Sequence, residues 1–183
     1  VVRLQDCKTL EINNALWACA TASVRLPWLF VKSGEYVINN DLLPQFKTHE
    51  ISIMMWSHGM AGVCNHDFFD AAIHELGNAR GIGSCSPREV ANITWAYSTI
   101  IGRAHLPWLQ SVAAYTVQRV SEFDLQCLGN VLWAFAQVAV FSEKVFGAIC
   151  TETASRCPLV TAETSMNVSQ VLSASHAVRY MHA

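Results

Sequence analysis

The sequence predicts an all-α protein, an α-solenoid of helical hairpins, and three observations carry that prediction. Tryptophans recur at intervals of 39, 39 and 38 residues: Trp17, Trp56, Trp95 and Trp133. A second aromatic follows each of them after thirteen residues: Phe30, Phe69, Trp108 and Phe146. A short polar or proline-containing turn precedes the segment that holds the second aromatic. A period of roughly 35–45 residues is typical of stacked helical repeats, in which each unit packs against its neighbours.

We predict a single domain, residues 1–183, made of four hairpins and the first helix of a fifth. The approximate bounds are 8–46, 47–85, 86–123, 124–163 and, for the partial copy, 164–183. The period is 38–40 residues, because the fifth copy places Ser173 40 residues after Trp133. Neither terminal segment has the polar character of a repeat-array cap. We therefore expect a piece of a longer protein, or ends that partners cover.

The first helix of each repeat, helix A, carries the tryptophan, which we number position 0. Residues at positions −4, 0, +3 and +7 share one face of a helix. In the fourth repeat these are Gly129, Trp133, Ala136 and Val140. A large ring beside small side chains is typical of closely packed helices. We therefore predict that the tryptophan row is buried between neighbouring helices.

The second helix, helix B, begins after the turn and carries the second aromatic. Pro27 and Pro107 suit a first helical turn, where the N–H that proline lacks has no intrahelical partner. Asn65 offers a side-chain oxygen that can cap the helix following it. These residues predict where the second helices of the first three repeats begin.

Composition argues against a strongly basic, freely soluble domain. Hydrophobic residues make up 52% of the chain and charged residues 14%, whereas ordinary soluble domains contain roughly a quarter charged residues. The excess of apolar side chains favours contacts with other proteins. The net charge of −2 counts against tight autonomous nucleic-acid binding, which depends on cations near phosphates. The longest apolar stretch, residues 131–141, is too short for a membrane span, so we expect none.

The sequence contains no pattern that we can assign to catalysis or to a metal site. The seven cysteines are an odd number, and no two of them have the spacing of a zinc or redox motif, which favours a reducing compartment. His66 and His74 share a helix face but lack further ligands. Phosphate-binding loops, dinucleotide fingerprints and serine-nucleophile motifs do not occur. We expect no enzymatic activity, no cofactor and no metal.

The repeats resemble those of a known family. Residues 88–109, REVANITWAYSTIIGRAHLPWL, and residues 123–140, FDLQCLGNVLWAFAQVAV, carry the pattern N-x-x-W-A-x-[AS]. This pattern resembles the octotricopeptide repeat and the related repeats of FAST-kinase-domain and RAP-domain proteins. The resemblance implies helical hairpins that bind organellar RNA in transcript stability, splicing, translation or mitochondrial ribosomes. The chain departs from the pattern at Ile53, Ser57 and Ser173.

Candidate RNA-binding residues lie at repeated positions. The polar-to-small row of helix A, at −6, −3, +1 and +4, has amides at −3 that suit base edges: Asn14, Asn92, Asn130 and Gln170. Arginines that suit phosphates lie after helix A or near the end of helix B: Arg25, Arg103, Arg80 and Arg119. Structural interpretations stand beside both groups. The amides tie adjacent helices together, and the arginines at the ends of helix B, with Arg156, interact with helix dipoles.

The residues and the resemblance together favour an RNA-binding helical-repeat protein within an organellar ribonucleoprotein complex, such as a mitochondrial ribosome. Its partners would be ribosomal or messenger RNA and neighbouring proteins of the complex. The alternative is a scaffold that joins proteins of a large organellar complex without contacting RNA. The resemblance implies a mitochondrial or plastid location and leaves open which of the two it is.

Overall fold

The computed structural model describes residues 4–156, and this part of the chain forms helices and no strand. Its α-helices are α1 Thr9–Thr21, α2 Pro27–Asn39, α3 Thr48–Ala61, α4 His66–His74, α5 Pro87–Ile101, α6 Leu106–Arg119, α7 Leu125–Gln137 and α8 Glu143–Arg156. A π-helical turn, Glu75–Ala79, extends α4. The all-α prediction is confirmed for the described residues. The predicted fifth copy lies outside them.

Carboxylates fix the starts of the odd-numbered helices, which are the predicted A helices. Three backbone hydrogen bonds recur at the same repeat position: Lys8 N–H to Glu11 at 2.8 Å, Lys47 N–H to Glu50 at 2.8 Å and Ser86 N–H to Glu89 at 2.6 Å. In α7 the acid is instead the preceding residue, since Asp124 accepts from the Cys127 N–H at 2.7 Å. A carboxylate there satisfies a free N–H and opposes the positive end of the helix dipole.

A residue with left-handed backbone ends each odd-numbered helix. These residues are Ser23 (φ 55°), Gly62 (φ 65°), Gly102 (φ 64°) and Ala139 (φ 55°). Left-handed backbone lets the chain turn sharply and leave the helix axis, and glycine adopts it without a Cβ clash. The chain can therefore enter each even-numbered helix after a few residues.

The even-numbered helices begin as the sequence predicts. Pro27 is the first residue of α2, and Pro107 lies in the first turn of α6. The side-chain oxygen of Asn65 accepts from the Phe68 N–H at 3.1 Å, which caps α4. His105 performs the same role in α6, because its Nδ1 accepts from the Trp108 N–H at 3.2 Å.

The odd-numbered helices form the first row, and the even-numbered helices, which we call the second row, contact one another in two pairs. In the first row α3 packs between α1 and α5, and α5 packs between α3 and α7. In the second row α2 contacts α4, and α6 contacts α8. The second aromatics are buried in the core that the helices share: Phe30, Phe69, Trp108 and Phe146. A helix inside the first row has neighbours on both sides and the core behind it, so one arc of its surface stays open.

Side chains from the ends of the even-numbered helices bind connectors about one repeat earlier in the chain. Arg80 Nη2 donates to the Leu43 carbonyl at 2.8 Å. Arg156 donates to the Phe123 carbonyl at 2.7 Å and to the Ser121 carbonyl at 2.9 Å. In the repeat between them the bond comes from a phenol, since the Tyr115 hydroxyl donates to the Cys85 carbonyl at 2.7 Å. Each of these bonds ties an even-numbered helix, or the segment that extends it, to the connector that precedes its own hairpin.

Candidate nucleic-acid interface

The tryptophans of the first row are not buried as the sequence predicted. Trp17 is 49% exposed and Trp133 is 37% exposed, and Trp56 and Trp95 are half-buried. The −4 neighbours in the predicted row, such as Asn13, do lie inside. Position 0 stands at the border between that buried row and the open arc. The prediction was wrong because the packing of the first row turns position 0 toward solvent.

The open arc of the first row contains positions −7, −3, 0 and +4, which lie close together around a helix axis. We call these positions the ladder face: Leu10, Asn14, Trp17 and Thr21 on α1; His49, Ile53, Trp56 and Met60 on α3; Arg88, Asn92, Trp95 and Thr99 on α5; Gln126, Asn130, Trp133 and Gln137 on α7. Each of these residues is exposed or half-buried. The ladder face therefore repeats an indole beside the residue at −3 across four helices.

Two members of the predicted polar row do not belong to this face. The residues at +1 turn toward neighbouring helices in three of the four repeats: Ser57, Ala96 and Ala134 are buried. The −6 residues Glu11 and Glu89 accept hydrogen bonds at helix starts. The row expected at −6, −3, +1 and +4 is thus corrected to −7, −3, 0 and +4.

Contacts between neighbouring helices position the indoles of Trp95 and Trp133. A Cβ added to Gly59 would lie 2.8 Å from Cζ3 of Trp95, so the ring occupies space that a larger residue on α3 would fill. The Trp95 and Trp133 rings contact each other, with centroids 6.2 Å apart and planes tilted by 41°. Gly59, the small residue at +3 of α3, therefore leaves room for Trp95 of α5, and this contact fixes where that ring lies.

A shallow depression of ≈ 330 Å³ crosses the ladder face. Its lining is Trp17, Ile53, Trp56, Arg88, Asn92, Asp124, Gln126, Cys127 and Asn130. Within the described residues, neither Asn92 nor Asn130 uses its side-chain amide to bond a neighbouring helix. The interpretation of these amides as ties between helices therefore has no support in the geometry, and their donors and acceptors are open to a ligand.

An ion pair lies at one edge of the depression. Arg88 Nη2 is 3.0 Å from Asp124 Oδ2. Burial by itself would raise the pKa of Asp124, but hydrogen bonds from Cys127 and Arg88 together lower it. Burial raises the pKa of the neighbouring Cys127 thiol to about 12, and its contact with Asp124 adds to that effect. Both effects favour the protonated form of the Cys127 thiol.

Two lysines stand where the ladder face begins. Lys8 and Lys47 directly precede α1 and α3, and both are exposed. Neither ammonium group forms an ion pair within residues 4–156. Neither lysine is among the residues predicted from the sequence to bind RNA, although both lie nine residues before a tryptophan of helix A. That shared spacing is the signal that could have found them.

Three of the four arginines predicted to bind RNA have protein partners. Arg80 is largely buried and bonds Glu75 at 2.7 Å in addition to the Leu43 carbonyl. Arg103 forms an exposed pair with Asp70 at 2.9 Å. Arg119 bonds Glu122 at 2.9 Å and lies 4.7 Å above the centroid of the Tyr115 ring.

The fourth predicted arginine, Arg25, has an exposed side chain at the turn between α1 and α2. It lines a second depression of ≈ 460 Å³, together with Val24, Met60 and Val63. The structure therefore places none of the four predicted arginines on the ladder face. The predicted amides do reach it: Asn14 is exposed on α1, and Asn92 and Asn130 are half-buried on α5 and α7. Gln170 lies outside the described residues.

Comparison of the sequence with models of known protein families gives no match, and comparison with curated proteins gives none. Within residues 4–156, no helix has both the length and the apolar character that crossing a lipid bilayer requires. The same residues contain no group of three or more His, Cys, Asp or Glu side chains arranged to hold a metal ion. The assignment of function therefore depends on the ladder face itself.

Proposed function

We propose that the chain binds single-stranded RNA on its ladder face. The observation that supports the proposal is the repetition of an indole on four adjacent helices, three of which also carry an amide at −3, on the arc that those helices leave open. Bases of any identity stack on aromatic rings, and each stacked base contributes about 1–3 kcal/mol. Carboxamides pair with the edges of unstacked bases. A surface that offers an indole on each helix, with an amide beside it on three of the four, suits a splayed single strand.

The charges near the ladder face support a modest electrostatic contribution to the affinity for RNA. Lys8 and Lys47, which form no ion pair with residues 4–156, carry positive charges at one side of the face, while Arg88 is paired with Asp124. Capping carboxylates on Glu11 and Glu50 lie within one helical turn of the two lysines. We therefore expect stacking to provide more of the affinity than phosphate contacts do.

The same proposal includes the architecture and the setting. We propose an α-solenoid of helical hairpins with a period of 38–40 residues, four repeats and the first helix of a fifth. The two rows of helices and the recurring caps and connector bonds support it. The resemblance to octotricopeptide repeats supports a place in an organellar ribonucleoprotein complex, such as a mitochondrial ribosome, in the matrix or stroma.

The test compares two exposed tryptophans of the same hairpin. Trp17 lies on the ladder face and Trp28 does not, although Trp28 is 62% exposed. Binding of the full chain to a pool of random single-stranded RNAs would be measured by fluorescence anisotropy. Loss of one stacked base should weaken the Trp17→Ala variant by roughly 5- to 150-fold. Trp28→Ala should bind like the parent, and circular dichroism should show that both variants remain folded.

Two results would contradict the proposal. The parent chain could fail to bind the RNA pool at all, or Trp17→Ala and Trp28→Ala could weaken binding equally. Equal losses of RNA affinity would mean that the ladder face has no special role in binding. The two variants remove exposed tryptophans of the same hairpin, and only one of these lies on that face.

A scaffold function is the second candidate, and a separate set of side chains favours it. Large apolar residues away from the ladder face are exposed: Trp28, Leu106 and Phe141. Exposed aromatic side chains are frequent anchors of protein interfaces. If the scaffold function is correct, Trp28→Ala should release the full-length protein from its native complex on a sucrose gradient, and Trp17→Ala should not.

A further inference from the structure

The contact between Gly59 and Trp95 reveals how adjacent helices of the first row are aligned. Gly59 is position +3 of α3, and Trp95 is position 0 of α5, and the two touch across the helix boundary. The next helix is therefore shifted by about three residues along the ladder face. The same shift places position 0 of each helix beside position −3 of the helix that follows it.

The lining of the depression agrees with this alignment. Trp56 of α3 and Asn92 of α5 both line it, and so do Trp17 of α1 and Ile53 of α3. Each of these two pairs joins a tryptophan to the −3 residue of the next helix. A tryptophan and the −3 residue of its own helix are also neighbours, being three residues apart. The structure thus offers two possible partners for the amide of Asn92, Trp56 on the preceding helix and Trp95 on its own.

We infer that each base is bound by a composite unit, with the indole from one helix and the −3 side chain from the next. This inference rests on the proposed RNA-binding function. The indole stacks on the face of the base, while the −3 side chain lies at the edge of the base. Trp56 with Asn92 is a unit that can read a base edge, because the amide both donates and accepts hydrogen bonds.

The unit formed by Trp17 and Ile53 has a different chemistry. Ile53 is half-buried and offers no hydrogen-bonding group to a base edge. This unit should hold any base by stacking and select none. The ladder face therefore predicts a short RNA sequence in which a selected position lies next to an unselected one.

The Trp95 and Trp133 rings also limit how a base can enter. Their centroids are 6.2 Å apart and their planes are tilted by 41°. Inserting a base between two rings requires them to be parallel and about 6.8 Å apart, twice the 3.4 Å rise between stacked bases. Bases therefore stack on an outer ring face, one for each composite unit, and do not intercalate into this pair.

A double-mutant cycle on the full chain separates the two possible partners of Asn92. The probe is a single-stranded RNA of roughly a dozen nucleotides, selected from a random pool by the parent protein. Dissociation constants would be measured for Trp56→Leu, Asn92→Ala and the double variant. The matched cycle uses Trp95→Leu with Asn92→Ala, a pair on the same helix. Circular dichroism spectra and melting curves exclude variants that do not fold.

The composite unit predicts coupling in the first cycle and independence in the second. Loss of Trp56 should remove most of the effect of Asn92→Ala, so the double variant should bind within about three-fold of the weaker single variant. In the second cycle, the fold-losses of RNA affinity caused by Trp95→Leu and Asn92→Ala should multiply in the double variant. The inference would be overturned if Trp95→Leu and Asn92→Ala were coupled in their effects on affinity, or if the losses of affinity multiplied in both cycles. Either result would leave the proposed RNA binding intact.

A variant that should gain selectivity for one base provides a second test of the composite unit. Ile53→Asn places an amide beside Trp17, and selection from the random pool should then yield one additional preferred base, favoured by roughly 5- to 150-fold. An unchanged selected sequence would overturn the inference. If no variant of the ladder face alters RNA binding, but Trp56→Leu abolishes binding to an array of random peptides, the surface binds extended polypeptide and the proposed function fails as well.

Discussion

At the residue scale, two helix ends carry strain that glycine would relieve. Ser23 and Ala139 adopt left-handed backbone where Gly62 and Gly102 stand in the other repeats. A Cβ in this conformation costs roughly 1–2 kcal/mol, and the greater freedom of glycine in the unfolded chain offsets part of the gain. We expect Ala139→Gly to raise the free energy of unfolding by about 0.5–1 kcal/mol. Urea denaturation of the two proteins measures it.

The reverse change supplies the control for this prediction. A Cβ on Gly62 would meet no atom within 4 Å, so Gly62→Ala tests conformation without a clash. It should lower the free energy of unfolding by about 1 kcal/mol. Equal stability of Gly62→Ala and the parent would show that the left-handed ends carry no strain.

His58 gives the protein a pH dependence of a defined sign. The ring is fully buried, and burial lowers its pKa more than its contacts with the Met54 and Phe30 carbonyls raise it. As pH falls below about 6.5, the unfolded chain binds a proton that the folded protein excludes. Stability should therefore be level above that pH and fall below it, by at most about 1.4 kcal/mol per pH unit from this group.

Substitution of His58 isolates its contribution from that of other groups. Phe135 occupies the equivalent position of the fourth repeat, so His58→Phe keeps a ring there and should flatten the pH profile of the melting temperature between pH 5 and 7. His66→Gln, at an exposed position on α4, should keep the parent slope. A steep profile that survives in His58→Phe would assign the dependence to a different group.

At the element scale, the bond from Arg80 to the Leu43 carbonyl joins the end of one hairpin to the connector before it. The side chain is largely buried and also bonds Glu75. Replacing it with methionine keeps much of the aliphatic packing but leaves the carbonyl and the carboxylate without that partner. We expect Arg80→Met to lower the free energy of unfolding by about 1.5–3 kcal/mol.

The RNA affinity of the same variant separates the two interpretations of Arg80. A structural residue should change stability and leave the dissociation constant for RNA unchanged in the folded protein. Arg25→Met is the matched control, because Arg25 is exposed and should leave stability within about 0.5 kcal/mol of the parent. If Arg80→Met bound RNA more weakly at unchanged stability, Arg80 would be a residue of the RNA-binding site.

The helix positions and the starts of the even-numbered helices followed from the sequence because each depends on local chemistry. Proline in a first turn, Asn65 before α4 and an aromatic every 38 or 39 residues are visible in the chain alone. The orientation of the tryptophans did not follow, because position 0 lies at the border of two rows. A rotation of each helix about its own axis, by less than the angle between successive residues, decides which row of side chains is buried. Packing of Trp95 against Gly59, on another helix, sets that rotation.

At the scale of the whole molecule, few charges serve the proposed interface. The chain has a net charge of −2, and within residues 4–156 the arginines at the helix ends bind protein groups. Among the described residues, the lysines and arginines nearest to phosphates on this surface would be Arg88 on the ladder face and Lys8 and Lys47 at its side. The logarithm of affinity for a single strand falls with the logarithm of salt concentration by about 0.7 for each neutralised phosphate. We therefore expect a shallow dependence, with a slope of about −2 or smaller in magnitude.

Removal of the charges of Lys8 and Lys47 should reduce that slope further. The double variant Lys8→Gln, Lys47→Gln should show a slope about 1.4 smaller in magnitude, if each lysine neutralises one phosphate. Lys32→Gln is the control, since Lys32 pairs with Glu35 on α2, away from the ladder face. Anisotropy titrations with the selected RNA at several salt concentrations measure all three proteins. If Lys32→Gln reduced the slope as much as the double variant, the RNA would lie across the second row of helices, and the stacking surface assigned to the first row would be wrong.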